Sequence, residues 1–165
     1  MAEDRPLAIV DLDGVVADVR HRLHHIRGRR KDWDAFFAAA ADDDVHPEGI
    51  AVVTTLAAEH EVVFVTGRPE HLRAATATWL GEHGLGGHRL VMRPLDDRRP
   101  AAVVKVELVT SLAERRAIGV VVDDDHRVLA AMRRAGFATF PADWESRAAA
   151  DEAAVRQAQE TEGRT

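Results

Sequence analysis

The 165-residue chain contains no cysteine. That excludes disulfide crosslinks and any thiolate zinc site, and leaves the compartment open, with cytoplasm the default. No apolar run approaches membrane-spanning length. The N-terminal stretch MAEDRPLAIV carries acids and lacks the basic start and long apolar core of a signal peptide. A cytoplasmic protein with no membrane association is therefore expected. There is no internal repeat and no low-complexity linker. The length fits one domain with a proper core. A net charge of −6 argues against a generic nucleic-acid coat, although net charge hides local patches. Nothing in the sequence sets the oligomeric state.

What is present is an alternation of apolar, strand-type runs with helical patterns. Leu7 to Leu12, Glu61 to Thr66, Arg89 to Met92, Ile118 to Val122 and Phe137 to Phe140 read as strands. Between them, helices are expected over Arg20 to Ile26, Lys31 to Ala41, Pro47 to His60, Glu70 to His83, Pro100 to Arg116 and Asp125 to Ala135. In the first, Val19, Leu23 and Ile26 share a face. In the second, Asp32 is a candidate N-cap, and Trp33, Phe36, Phe37 and Ala40 point inward. The polar stretch MRPLDDRRP reads as a loop. Beyond Asp143 the only large apolar residues are Trp144 and Val155. A packed turn near Trp144 and then a frayed helix are expected. The fold class is α/β: a Rossmann-like parallel sheet with helices on both faces. Residues 1–142 form the domain, with a small helical insert over 17–60 and a tail over 143–165.

Two of the strand-type runs end in acids. IVDLDG places Asp11 and Asp13 after the first strand, and VVVDDD places Asp123, Asp124 and Asp125 after the fourth. Like charges gathered together are costly unless a cation sits among them. In an open parallel sheet, ligands bind beyond the carboxyl ends of the strands. Asp11, Asp13, Thr66, Gly67, Asp123 and Asp124 then converge on one rim if their strands are neighbours. Carboxylates without a clear histidine set make a hard-cation site, Mg²⁺ before Zn²⁺. A carboxylate kept ionised can attack phosphorus, and a second carboxyl two residues on can carry the proton. The hydroxyl of Thr66 and the backbone N–H groups at Gly67 suit phosphate oxygens. Lys105, in VVKVEL, can neutralise them; Arg68 is a second candidate, although it follows the glycine and can point outward. Singly, each motif is also an ordinary turn or helix cap; together and in this order they are not.

DLDGVVAD, VTGRP, a later lysine and VVDDD resemble the signatures of the haloacid-dehalogenase-like phosphatase superfamily. The resemblance implies a Mg²⁺-dependent aspartyl-phosphate mechanism on a Rossmann-like core. Asp11 matches the nucleophile. Asp13 matches the general acid and base, which also offers its backbone carbonyl to the metal. Thr66 matches the phosphate-binding hydroxyl and Lys105 the lysine. Asp123 and Asp124 match the acidic metal-holding pair, Asp124 being favoured as the direct ligand. Val15 departs from the threonine many members carry. From about Arg5 to Pro141 the chain is also similar to the phosphatase domain of bacteriophage-type polynucleotide kinases, which removes 3′-phosphates from nucleic-acid ends and nucleotides. The G-x-x-x-x-G-K-[ST] motif of the kinase half does not occur. The 5′-nucleotidases and other small-molecule phosphatases are alternatives on the same machinery. A non-catalytic binding module of this fold is the alternative of another class.

The substrate expected is a phosphorylated nucleotide or nucleic-acid end. The insert is too small for a large cap domain, so the site should be open. Arg20, Arg22, Arg27, Arg29, Arg30 and Lys31, with His21, His24 and His25, lie close behind the nucleophile with no acid between them. Arg22 and His25 are the candidates for substrate contact, because basic groups bind and steer phosphates. The competing reading is a solvated face. His21, His24 and His25 offer a metal pair at helical spacing, but no further ligands accompany them. Arg68, Arg73, Arg93, Arg98 and Arg99 can add to the same rim. Trp33, Phe36 and Phe37 have faces that can stack a base, but their spacing favours core packing.

Overall fold

The computed structural model describes residues 4–162. The extreme ends of the expected domain and tail, 1–3 and 163–165, lie outside the described residues. Strand β1 (Leu7–Val10) is buried throughout, with Leu7 and Ile9 on one face and Ala8 and Val10 on the other. A strand covered on both faces reads as a continuous apolar run rather than an alternation. This one lies at the centre of the sheet. After it come the short β2 (Ala17–Asp18) and β3 (Asp44–Val45), then β4 (Glu61–Pro69), β5 (Arg89–Arg93), β6 (Ile118–Asp123) and β7 (Thr139–Pro141). The five long-range strands form one sheet in the order β5-β4-β1-β6-β7, all parallel. β2 and β3 pair antiparallel as a separate ribbon.

Helices cover both faces, as the alternation of elements requires. α2 (Pro47–Ala57) and α3 (Arg73–Glu82) bring Val53, Trp79 and Leu80 against Val10, Phe64 and Val122. α4 (Ala101–Ala113) and α5 (His126–Arg134) bring Val109, Leu112, Val128 and Met132 against Ile9, Val63, Val65 and Val121. Each such side chain, fully buried, contributes roughly 1.5–3 kcal/mol. Local signals start the helices. Asp32 caps α1 (Trp33–Ala38) by accepting from the Ala35 N–H at 2.9 Å, and Asp125 caps α5 from Arg127 at 2.8 Å. Pro47 opens α2, where its missing N–H costs nothing.

Four expectations change. The segment Arg20–His25 is a 3₁₀ turn, not an amphipathic α-helix, and its fully buried side chain is Arg22. Trp33 does not point inward: 48% of its surface is exposed, while Phe36 is buried and Phe37 half-buried. The short α1 gives way to a 3₁₀ turn at Ala39–Asp42, so only one edge of the helix meets the core. β4 continues past Thr66 to Pro69, with an irregularity between them where it pairs with β5. The C-terminal segment is a continuous helix, α6 (Trp144–Glu162), beginning at the buried Trp144.

The region between β1 and β4 divides in two. Residues 17–46 hold the ribbon and the short helices, and they stand over the C-terminal edge of the sheet. α2 lies on the sheet itself, and Gly49 lets it do so. A Cβ there would sit 2.1 Å from the Val15 carbonyl oxygen, so only glycine allows this approach. Trp144 closes the same loop from the other side, donating from Nε1 to that carbonyl at 3.0 Å.

Candidate active site

β4, β1 and β6 are neighbours, so the acids, the threonine and the glycine read from the sequence meet on one rim. Asp11 follows β1, and its N–H donates to the Val122 carbonyl at 3.0 Å. Carboxylate oxygens of Asp11, Asp123 and Asp124 all lie within 4.8 Å of one another. Lys105, on α4, reaches into this group: Nζ is 3.1 Å from Asp11 Oδ1 and 2.6 Å from Asp123 Oδ2. Asp123 is fully engaged, since its Oδ1 accepts from the Asp125 N–H at 2.9 Å. Asp124 is exposed and turns its carboxylate over Gly14. A Cβ on Gly14 would lie 2.0 Å from Asp124 Oδ2, and the backbone there has φ +80°. Both facts require glycine.

Three carboxylates against one lysine leave negative charge uncompensated. Burial pushes the Asp11 carboxyl well up, Asp123 adds to the rise, and Lys105 opposes it. Asp124 is pushed up to about 7 by burial and by Asp123, again against Lys105. Burial would lower Lys105, but Asp11 and Asp123 outweigh it and hold the ammonium charged. An all-oxygen set with surplus negative charge and open geometry fits a hard divalent cation.

Asp13 lies apart from that group. Arg68 donates to its Oδ1 from Nε at 3.0 Å and Nη2 at 2.6 Å, and Arg22 donates from Nη2 at 3.0 Å. Burial would raise this carboxyl; the two guanidiniums outweigh it and hold it below its ordinary value. Arg68 thus points inward, against the outward alternative. Thr66 is buried, and its Oγ1 accepts from the Arg68 N–H at 3.1 Å. Gly67 follows on the strand edge.

Arg22 does not stand free for a substrate. Its side chain is wholly buried, paired with Asp13 and, at 2.7 Å through both Nε and Nη2, with Asp43. Its guanidinium also lies 4.2 Å over the Phe36 ring. His25 is half-buried against His24, ring centroids 4.0 Å apart. Sequence reasoning missed Asp43. It accepts from both arginines, contacts His21 Nε2 at 2.6 Å, and takes the Trp79 indole N–H on its carbonyl at 2.9 Å. The run Asp42-Asp43-Asp44 reads only as a break between helices, and nothing local singles out its middle member.

A second acidic group, Asp18, His46 and Glu145, gathers beside the ribbon. There Asp18 is engaged with Arg20, and His46 Nε2 is 2.6 Å from Glu145 Oε1, tying α6 to the ribbon.

The family model described as the phosphatase domain of polynucleotide kinase PNKP matches residues 6–144. The chain belongs to that family. It is a phosphatase of the haloacid-dehalogenase-like kind. No curated protein matches this phosphatase. Among solved structures, it is similar to a chain of the Pnkp1/Rnl/Hen1 RNA repair complex, at 20% identity and TM-score 0.68, over 83% of this chain and 42% of that one. A second structure of the Pnkp1/Rnl/Hen1 complex matches at 22% and 0.65, over 83% and 46%. The HAD-hydrolase YfnB of Bacillus subtilis, bound to magnesium, matches at 9% and 0.58, over 82% and 87%. The phosphatase spans less than half the length of the two repair-complex chains; at these identities the likeness shows the fold. Among the described residues, no helix is long and apolar enough to cross a membrane.

Proposed function

We propose that this phosphatase is a Mg²⁺-dependent phosphomonoesterase that works through an aspartyl-phosphate on Asp11 and acts on phosphorylated nucleic-acid ends or nucleotides, 3′-phosphates first. The observation that carries the chemistry is the convergence of Asp11, Asp123 and Asp124 around Lys105, with Asp13 two residues on and held separately by arginines. Asp11, Asp124 and the backbone carbonyl of Asp13 would hold the ion, with Asp123 fixing Lys105 beside them. When bound, the ion supplies positive charge to the phosphate and keeps Asp11 ionised.

Asp11 attacks phosphorus with the oxygen that Lys105 leaves free. The bond from phosphorus to the leaving oxygen breaks, and Asp13 gives that oxygen its proton. Water then attacks the phosphoryl group on Asp11; Asp13 takes the water's proton, and inorganic phosphate leaves. Lys105, the Thr66 hydroxyl and the backbone at Gly67 bind the non-bridging oxygens. The arginines favour the ionised form of Asp13, the form the second half needs. They occupy only Oδ1, so Oδ2 remains for the substrate.

The family and the exposed cluster Arg27, Arg29, Arg30 and Lys31 support a polyanionic substrate. The test compares a 3′-phosphorylated oligonucleotide, 3′- and 5′-mononucleotides and a sugar phosphate, with and without Mg²⁺. The oligonucleotide is expected to be hydrolysed best, only with Mg²⁺, and more slowly as salt rises. A preference for 5′-mononucleotides, or turnover in excess chelator, overturns the reading.

A further inference from the structure

We propose that Trp33 is the platform on which the base of the phosphate-bearing nucleotide stacks, in a cleft that leads away from Gly67. This rests on the nucleic-acid-end reading above and adds a specificity residue to it. The cleft has a volume of about 700 Å³, enough for a nucleoside. Gly67, beside the phosphate-binding Thr66, forms one end of its lining, and Trp33 and Phe37 form an aromatic wall. The opposite wall is the 94–99 loop.

Trp33 is unusual among the three tryptophans. Trp79 and Trp144 are buried and donate their indole N–H groups to backbone carbonyls, whereas Trp33 is half exposed. It is also held in place. Its ring stacks on Phe37 at 5.9 Å with an interplanar angle of 27°, and meets Phe36 edge-on at 5.6 Å. Phe36 in turn is buried beneath Arg22. An aromatic ring backed by two others and open on a face is a stacking platform rather than a core residue.

The facing wall is rigid and carries charge. Arg93 donates to the carbonyls of Gly67 at 3.0 Å, Asp97 at 3.0 Å and Arg99 at 2.7 Å, clamping the loop to the phosphate-binding strand. Asp96 and Asp97 also line the cleft, and Arg99 neutralises Asp97 at 2.8 Å. Arg98 is exposed and, among the described residues, has no hydrogen-bond or ion-pair partner. It lines the same cleft, where its charge is free to meet a phosphodiester of the chain. The cleft between Trp33 and the 94–99 loop has room for one nucleoside and not for a base pair, so the occupant is a single-stranded or frayed end.

The experiment uses the full chain with Mg²⁺ and four substrates: a 3′-phosphorylated single-stranded oligonucleotide, the same strand with an abasic terminal residue, its blunt duplex, and glycerol phosphate. Trp33→Ala should raise KM for the single strand roughly 10- to 100-fold, with kcat little changed. Glycerol phosphate and the abasic strand should be insensitive to the substitution, and Trp33→Phe should recover most of the loss. The blunt duplex should be the poorest nucleic-acid substrate. In Asp11→Asn, the single strand should quench Trp33 emission without turnover, and Trp33→Phe in that background should abolish the quench.

Equal losses on glycerol phosphate and the oligonucleotide would mean that Trp33 only supports the fold, and the inference falls. If the wild type prefers the oligonucleotide while Trp33→Ala keeps its KM, the nucleic-acid reading stands and this one falls. If the wild type shows no preference for the oligonucleotide over glycerol phosphate, both fall.

Discussion

Arg68 grips Asp13 through two nitrogens on a single oxygen, Nε at 3.0 Å and Nη2 at 2.6 Å, although the two residues are 55 positions apart in the chain. This pairing sets the protonation state of the proposed acid–base residue. Asp13 sits below its ordinary value because Arg68 and Arg22 outweigh its burial. Removing Arg68 leaves the burial and loses the larger of the two compensating charges, so the carboxyl moves up. As a base, Asp13 must be ionised, so activity is lost at a higher pH than before. Arg68→Ala should shift the acid limb of the kcat profile to higher pH, and Arg68→Lys should shift it less. An unmoved limb would show that Asp13 is not the titrating group.

The same pairing carries stability. A carboxyl with a depressed folded value stabilises the fold above its unfolded value, near 3.8, and that contribution is lost as pH falls through the folded value. Deeper in, Arg22 and Asp43 form a pair with no exposed side-chain surface. Breaking such a pair leaves a buried charge uncompensated. Arg22→Ala should therefore cost about 3–5 kcal/mol in urea unfolding at pH 7. A loss below 1 kcal/mol would mean that water or another cation takes over.

Asp124 presents an opposite balance. Its carboxyl is raised to about 7 because its surroundings partly desolvate it and Asp123 stands beside it, with only Lys105 to offset the charge. Asp124→Asn removes that repulsion. In excess chelator the variant should melt at or above the wild-type temperature at pH 8, where the wild-type carboxyl is ionised. In Mg²⁺ the order should reverse, and turnover should fall by at least about 100-fold. A wild-type melting temperature that Mg²⁺ does not raise would count against a shared ion.

Gly14→Ala should mimic loss of the ion without touching an acid. The new Cβ would lie 2.0 Å from Asp124 Oδ2 and sit on a backbone at φ +80°. The left-handed conformation alone costs about 1–2 kcal/mol, and the clash displaces Asp124. Calorimetric titration should show Mg²⁺ affinity reduced by an order of magnitude or more. Unchanged affinity would place the ion away from Asp124.

At the other end of the chain, Trp144→Ala should cost about 3–5 kcal/mol, since it empties a buried site and strands the Val15 carbonyl that its indole satisfies. Truncation after residue 150 should cost little in thermal melting, because residues 151–159 of α6 are exposed.

The sheet was legible because β1, β4 and β6 are apolar runs that each end in polar, chemistry-bearing residues, and parallel topology brings such ends together. Asp11, Thr66, Lys105 and Asp123 could be placed on one rim for that reason. The insert was not legible in the same way. Its 3₁₀ turn and six-residue α1 are too short for periodicity to discriminate inside from outside. Arg22 is buried because Asp43, 21 residues away, draws it in. Trp33 is exposed because only the Phe36 edge of the short α1 meets the core. Neither fact is a local property of the residues concerned.

Arg93 joins the 94–99 loop to β4 through carbonyls alone. That clamp is indifferent to the exposed side chains of Leu95, Asp96 and Arg98. These positions can therefore exchange residues while the central strands stay as they are. Selection, or an engineer, could retune which substrates the phosphatase accepts by rewriting these exposed positions and leaving the central strands untouched.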